Sequence, residues 1–153
     1  RLVSYARSIG LKSKAFFILG YPGETKQTMK QTINYAGELG ADWSLFFPAT
    51  PLPGTEMLET CKQNGWLADP DMDYRYYFYK ANIRTPEFDP DYVMALREQA
   101  NYTINFRDNV NMRLGNYDRA FEDFGEVARL YPELDMARDS LAKARAMRKY
   151  GIS

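Results

Sequence analysis

The spacing of hydrophobic positions changes along the chain, and each change marks an element. Residues 14–20 read Lys-Ala-Phe-Phe-Ile-Leu-Gly, a short apolar run of β-favouring side chains without alternation. Such a run predicts a parallel strand buried on both faces. Tyr21-Pro22-Gly23-Glu24-Thr25 breaks it. Met29, Ile33, Ala36 and Leu39 then recur near a period of 3.6, which predicts a helix over 26–39 closed by Gly40. Residues 41–47, Ala-Asp-Trp-Ser-Leu-Phe-Phe, predict a second apolar strand. A proline-rich loop spans 48–54, and Thr55 is placed to cap a helix running to about 64 and closed by Gly65. Ahead of these, residues 2–9 read as the end of a helix stopped by Gly10.

The order helix, strand, helix, strand, helix with short links predicts parallel βα units joined by right-handed crossovers. Strands 14–20 and 42–47 should therefore lie side by side and parallel. Two strands do not make a stable sheet of their own, so further strands are expected from elsewhere. Residues 67–88 read as irregular or short-stranded, with an aromatic run at Tyr74, Tyr76, Tyr77, Phe78 and Tyr79. Asp89 followed by Pro90 predicts an N-cap and first helical position, opening a long helix to about 114. Gly115-Asn116 breaks it, and helices are expected over 117–130 and 134–149 with Pro132 between them. The expected divisions are 1–67 for the βα units, 68–88 for an aromatic-rich connection and 89–153 for a helical extension.

Charge adds little and chemistry is narrowed sharply. The 153 residues hold 20 Lys+Arg and 20 Asp+Glu, so the net charge is zero and nothing favours nucleic acid or an anionic membrane. No apolar run approaches a membrane span. There is no histidine and one cysteine, Cys61. Internal disulfides, Cys/His zinc sites and Ser-His-Asp or Cys-His catalysis are thereby excluded. No catalytic or metal-ligating residue is expected. A lone cysteine without a signal sequence fits a reducing cytoplasm. The start at Arg1, without an initiator Met, suggests a truncated chain.

Gly20-Tyr-Pro-Gly-Glu-Thr25 sits where a parallel strand hands over to a helix, the edge at which α/β folds place ligands. Gly20 and Gly23 leave backbone bare for a flat ligand, and Glu24 and Thr25 suit a helix N-terminus. One crossover later comes Pro51-Leu-Pro-Gly-Thr-Glu-Met57, then a helix ending Asn64-Gly-Trp-Leu67. In this order the two turns resemble the radical SAM superfamily, nearest its methylthiotransferase-like and cobalamin-binding branches, over about residues 1–67.

That resemblance implies a fragment of a partial (β/α) barrel, an α/β fold, carrying an α-helical extension. It implies S-adenosylmethionine and a [4Fe-4S] cluster in the parent protein, with cobalamin as a further cofactor of that branch. By position, Ile18, Leu19, Gly20, Gly23 and Glu24 would serve the adenine side of the S-adenosylmethionine site, Glu24 ordering the turn. Thr50, Pro51 and Gly54 would lie toward substrate. The strand pattern GxIxGxxE is met with two departures: Phe16 replaces the first glycine, and Glu24 falls one residue late. The CxxxCxxC cluster loop is absent, so the chain is expected to be the inactive C-terminal part of an enzyme whose N-terminal half lies elsewhere. Cys61 reads as a small buried or half-buried apolar residue.

Residues 114–132 place Gly115, Tyr117, Ala120, Phe124 and Pro132 at the spacing of the second helix of a tetratricopeptide repeat, while Asp108 occupies a position the repeat keeps small. This leaves two readings, a protein-docking platform or a hairpin packed on the βα part. An alternative function is accordingly a helical interaction module with a remnant α/β part. The apolar strand 15–19 carries no gatekeeping charge, so the chain is expected either to self-associate through its sheet or to cover the sheet with its own helices. The acidic turn Asp69-x-Asp-x-Asp73 lacks the glycine and glutamate of a calcium loop.

Overall fold

Backbone pairing begins with two strands, β1 (Lys14–Leu19) and β2 (Trp43–Pro48), which run parallel with Lys14 opposite Trp43 and Leu19 opposite Pro48. The computed structural model of the chain describes residues 2–77 and 79–150, apart from the side chain of Tyr76. Helix α1 (Leu2–Ser8) precedes β1, α2 (Lys26–Leu39) connects the strands and α3 (Glu56–Gln63) follows β2. Thr25 starts α2 as half of a capping box: its hydroxyl accepts from the Thr28 N–H at 3.1 Å, and the Thr28 hydroxyl accepts from the Thr25 N–H at 2.9 Å. Thr55 caps α3 through the Leu58 N–H.

Alternation along the strands sends one set of side chains into the core. Phe17 and Phe46 stack at 5.1 Å, and Leu19 is fully buried. Met29 and Ala36 of α2, Cys61 of α3, and Val93, Leu96 and Ala100 of α4 (Pro90–Tyr102) close over them. Burial pushes the Cys61 thiol pKa up, as befits a small core residue. Ala81, Ile83 and Phe88 join the same core, brought there by an antiparallel bridge between Leu67 and Ile83. One core thus runs from β1 into α4.

Two expectations need correction. The strand expected to be buried on both faces is buried on one: Phe16 and Ile18 remain 66% and 59% exposed. Among the described residues helices cover only the Phe17–Leu19 side, and an apolar face needs a second layer to be dry. The single helix expected over 90–114 is three pieces. α4 ends at Tyr102, a π turn spans Thr103–Arg107 with the Asp108 N–H donating to the Thr103 carbonyl at 2.8 Å, and α5 (Val110–Arg113) restarts after Asn109. Side chains decide the break. Asn109 leaves the helix to accept from the N–H groups of Asn111 and Met112, while its amide donates to the Asn105 carbonyl.

The broken segment seals the outer edge of β2. Asn105 accepts from the Ser44 N–H and donates to the Ser44 carbonyl, both at 2.8 Å. Asn101 accepts from the Phe46 N–H at 3.3 Å, and the Arg97 guanidinium donates to the Phe46 carbonyl at 2.9 Å. Three side chains at a spacing of four residues therefore satisfy backbone groups that another strand would otherwise satisfy.

Helices α6 (Tyr117–Leu130) and α7 (Asp135–Tyr150) pack through Ala120, Phe124, Leu141 and Ala144. Phe106 joins them to the sheet, with its ring 6.0 Å from Phe124 and 5.7 Å from Trp43. A polar network completes the joint at the amino end of the strands. Buried Asp42 accepts from the Ser13 N–H at 2.8 Å, the Ser13 hydroxyl at 2.9 Å and the Asn111 amide at 3.1 Å, and faces Arg119 at 3.5 Å. Asn111 also reaches Asp123 at 3.3 Å, which pairs with Lys12 at 2.6 Å.

Burial would raise the Asp42 pKa, but the hydrogen bonds from Ser13 and Asn111 and the charge of Arg119 outweigh it and hold the carboxyl below its ordinary value. The stability this contributes is complete above the unfolded carboxyl value and is lost as pH falls through the lower folded one. Urea midpoints measured in steps from about pH 6 to about pH 3 should fall more steeply for the wild type than for Asp42→Asn. Parallel pH slopes would rule this role out.

Candidate functional site at the carboxyl edge of the strands

Where β1 ends, the turn to α2 is held by one side chain. The Glu24 carboxylate accepts from the Tyr21 N–H at 2.8 Å, and the Glu24 N–H donates to the Tyr21 carbonyl at 2.9 Å. Gly20 and Gly23 have φ of +81° and +95°, a region that disfavours side chains with a Cβ. They differ in surroundings. A Cβ at Gly23 would meet nothing within 4 Å, whereas one at Gly20 would lie 2.9 Å from a methyl of Val93. Gly20 therefore serves helix packing, and Gly23 is the one whose backbone stands open to a ligand.

After β2, the second turn is strapped by the connecting segment. The Tyr74 hydroxyl donates to the Pro51 carbonyl at 3.1 Å, and the Thr50 hydroxyl donates to the Tyr77 carbonyl at 3.3 Å. Tyr74 belongs to a short 3₁₀ turn, Tyr74–Tyr76, capped by Asp73. The Asp73 and Asp69 carboxylates pair with Arg75 at 2.6 Å and Lys80 at 2.7 Å, so this acidic turn has its own cations.

Between the two turns lies an open apolar groove of about 640 Å³. Its floor is the bare strand face, Phe16 and Ile18 beside Phe47, with the Phe16 and Phe47 rings stacked at 6.1 Å. Tyr21, Leu52, Met57, Thr50 and Tyr77 build its rim, and among the described residues no lining side chain is charged.

The residues expected at the site divide cleanly. Ile18 and Thr50 line the groove. Gly23, Glu24 and Gly54 sit in the turns at its mouth, and Gly54 has φ of +80° with open space beside it. Leu19 and Pro51 do not join them: both side chains are buried, Leu19 because its neighbour Ile18 faces the other way. Phe16, Phe47, Leu52 and Met57 were missed. Strand alternation pointed to the first two, since Phe16 shares a face with Ile18.

The donor set is poor in metal ligands. Among the described residues no group of three or more His, Cys, Asp or Glu side chains is placed to hold a metal. Cys61, inside the core, cannot ligate an iron–sulfur cluster. The open backbone at Gly23 and the uncharged groove do fit one side of a planar heterocycle such as adenine. No described helix is long and apolar enough to cross a membrane.

No protein-family model matches the chain. It is 32% identical over 113 residues to cytidylyl-2-hydroxyethylphosphonate methyltransferase of Streptomyces wedmorensis, covering 69% of this chain and 21% of that protein. An uncharacterized methyltransferase of Pyrococcus horikoshii is 37% identical over 75 residues, 49% of this chain and 16% of its own. The tRNA-2-methylthio-N(6)-dimethylallyladenosine synthase of Baumannia cicadellinicola subsp. Homalodisca coagulata is 39% identical over 51 residues, 33% and 11% of the two chains. The chain thus spans about a fifth or less of the length of these relatives.

Proposed function

We propose that this chain is the C-terminal part of the catalytic barrel of a radical SAM enzyme that transfers a methyl or methylthio group. The observation that carries the reading is the pairing of a bare apolar strand face with the Gly20–Glu24 turn at its carboxyl edge. The methyltransferase and methylthio-adenosine synthase relatives support it. Ile18 and the open backbone at Gly23 contact the adenine of S-adenosylmethionine, and Glu24 holds that turn in shape. Thr50 and the Gly54 turn lie toward substrate. When bound, the [4Fe-4S] cluster of the parent protein supplies the electron that cleaves S-adenosylmethionine; its thiolates come from outside this chain. What the chain supplies is position and exclusion of water.

The test is anaerobic reconstitution of the longer polypeptide that carries this sequence, assayed for 5′-deoxyadenosine. Ile18→Glu should leave folding intact, because the side chain is largely exposed, and lower S-adenosylmethionine affinity by about tenfold or more, since it places a charge against an apolar ligand face. Unchanged affinity would overturn the assignment. The chain by itself should give no thiolate-to-iron absorption near about 400 nm. About four irons bound per monomer would contradict the reading.

A further inference from the structure

The α6–α7 hairpin does not spend all of its apolar surface on itself and the sheet. Ala120, Phe124 and Ala144 are buried within it, against Phe106 and Trp43. Along α7 there remains an open groove of about 520 Å³. Its floor is Leu141, Ala142 and Ala146, with Phe121 of α6 as one wall. Ala142 and Ala146 are exposed. Residues 138, 142, 145 and 149 recur at helical spacing and so share one face of α7. That face runs for about three turns, or about 16 Å.

Charge at the rim has one sign. The charged side chains lining the groove are Arg138, Arg145 and Lys149, and among the described residues no carboxylate joins them. The acids of the hairpin are engaged elsewhere. Asp118 pairs with Arg148 at 2.6 Å, Asp123 pairs with Lys12 at 2.6 Å, and Glu122 and Glu126 act on the Lys12 charge as well. Arg138 has Asp135, but Arg145 and Lys149 have no ion pair among the described residues. The last turn of a helix favours cations, which accounts for Arg148 and Lys149 and not for Arg145 a turn earlier. In a chain of zero net charge this is a local excess that nothing in the hairpin balances.

We propose that this face of α7 is the docking surface for an acidic amphipathic helix of a partner protein. The groove lies along a helix axis, and alanines one turn apart let a second helix come to the near end of the usual packing distance, about 8 Å. The apolar stripe of the partner rests on Leu141, Ala142 and Ala146. Its flanking carboxylates meet Arg145 and Lys149, whereas a basic helix would be repelled there. The proposal goes beyond the functional reading and assumes nothing about S-adenosylmethionine.

The probe is a synthetic peptide of about 20 residues with leucines on one helical stripe, glutamates beside it and alanines opposite. A second peptide has lysine for every glutamate. Titrated into the chain without S-adenosylmethionine, the glutamate peptide should bind with a Kd on the order of 10 μM in about 50 mM salt and gain helicity as it binds. Its affinity should fall by about tenfold or more in about 0.5 M salt. Ala142→Glu and the pair Arg145→Glu, Lys149→Glu alter exposed positions, so each should move the Tm by less than about 5 °C while weakening the glutamate peptide by about tenfold or more. The charge-reversed pair should instead take up the lysine peptide. Equal binding of both peptides by the wild type, no binding at about 1 mM, or an affinity that neither variant changes would overturn the proposal. So would self-association in sedimentation that the charge-reversed pair abolishes, since a second copy would then hold the face. Tighter binding of transfer RNA or of phosphatidylglycerol vesicles, lost in the same variant, would likewise overturn it and make the rim a polyanion site.

Discussion

Asn105→Leu should lower stability by about 2–4 kcal/mol, read as a shift of the urea midpoint at constant slope. The side chain is buried, and its amide holds both the N–H and the carbonyl of Ser44 at 2.8 Å. Leucine keeps the volume and removes both partners at once. Each buried backbone group left unpaired costs about 1–3 kcal/mol, more than the added apolar contact returns. Asn105→Asp should be at least as damaging, because it keeps the acceptor for the Ser44 N–H but aims a carboxylate at the Ser44 carbonyl. A loss below about 0.5 kcal/mol for Asn105→Leu would mean that water reaches this edge and that the helix does not seal it.

Gly20→Ala should cost a comparable about 2–4 kcal/mol, for two separable reasons. At φ of +81° a Cβ is strained by about 1–2 kcal/mol. The new methyl also falls 2.9 and 3.2 Å from the two Val93 methyls, an overpacking worth about 1–3 kcal/mol. Gly23→Ala has the first cost without the second, since nothing lies within 4 Å of its Cβ. Adding Val93→Ala to Gly20→Ala should recover the steric part, giving a coupling of about 1 kcal/mol or more in the double-mutant cycle. Strict additivity of the pair would show that α4 moves aside freely and that Gly20 is present for its backbone alone.

These sites show what could be read before the structure. The capping residues Thr25, Thr55 and Asp89, the two strands and their parallel pairing, and the burial of Cys61 follow from local rules: a hydroxyl or carboxylate ahead of a helix, apolar runs of strand length, one helix between them. The Gly20–Glu24 turn was legible for the same reason, because the Glu24 carboxylate has only to reach back to Tyr21.

The side-chain composition of the groove was only half legible. Sequence neighbours Ile18 and Leu19 were assigned together, yet a strand sends them to opposite faces. Gly20 looked like a ligand position, and only the approach of Val93, seventy-three residues later, shows what fills the space beside it. Pro51 likewise belongs to the interior.

Residues 90–113 mark the limit most clearly. Helix propensity and the Asp89-Pro90 start foretell a helix, and α4 forms as foretold. Its break rests on a local cap at Asn109 that the helical periodicity passed over, and on Asn101, Asn105 and Asn111, which read as ordinary polar positions on a helix surface. Asn101, Asn105 and Asn111 have partners in Phe46, Ser44 and Asp42, more than fifty residues away in sequence, while Asn109 caps the next turn through Asn111 and Met112. Local chemistry therefore determined the elements, their caps and the parallel order of the strands. Tertiary structure alone decided which strand face stays open and which sheet edge is sealed, since both depend on what a distant segment brings into hydrogen-bonding reach.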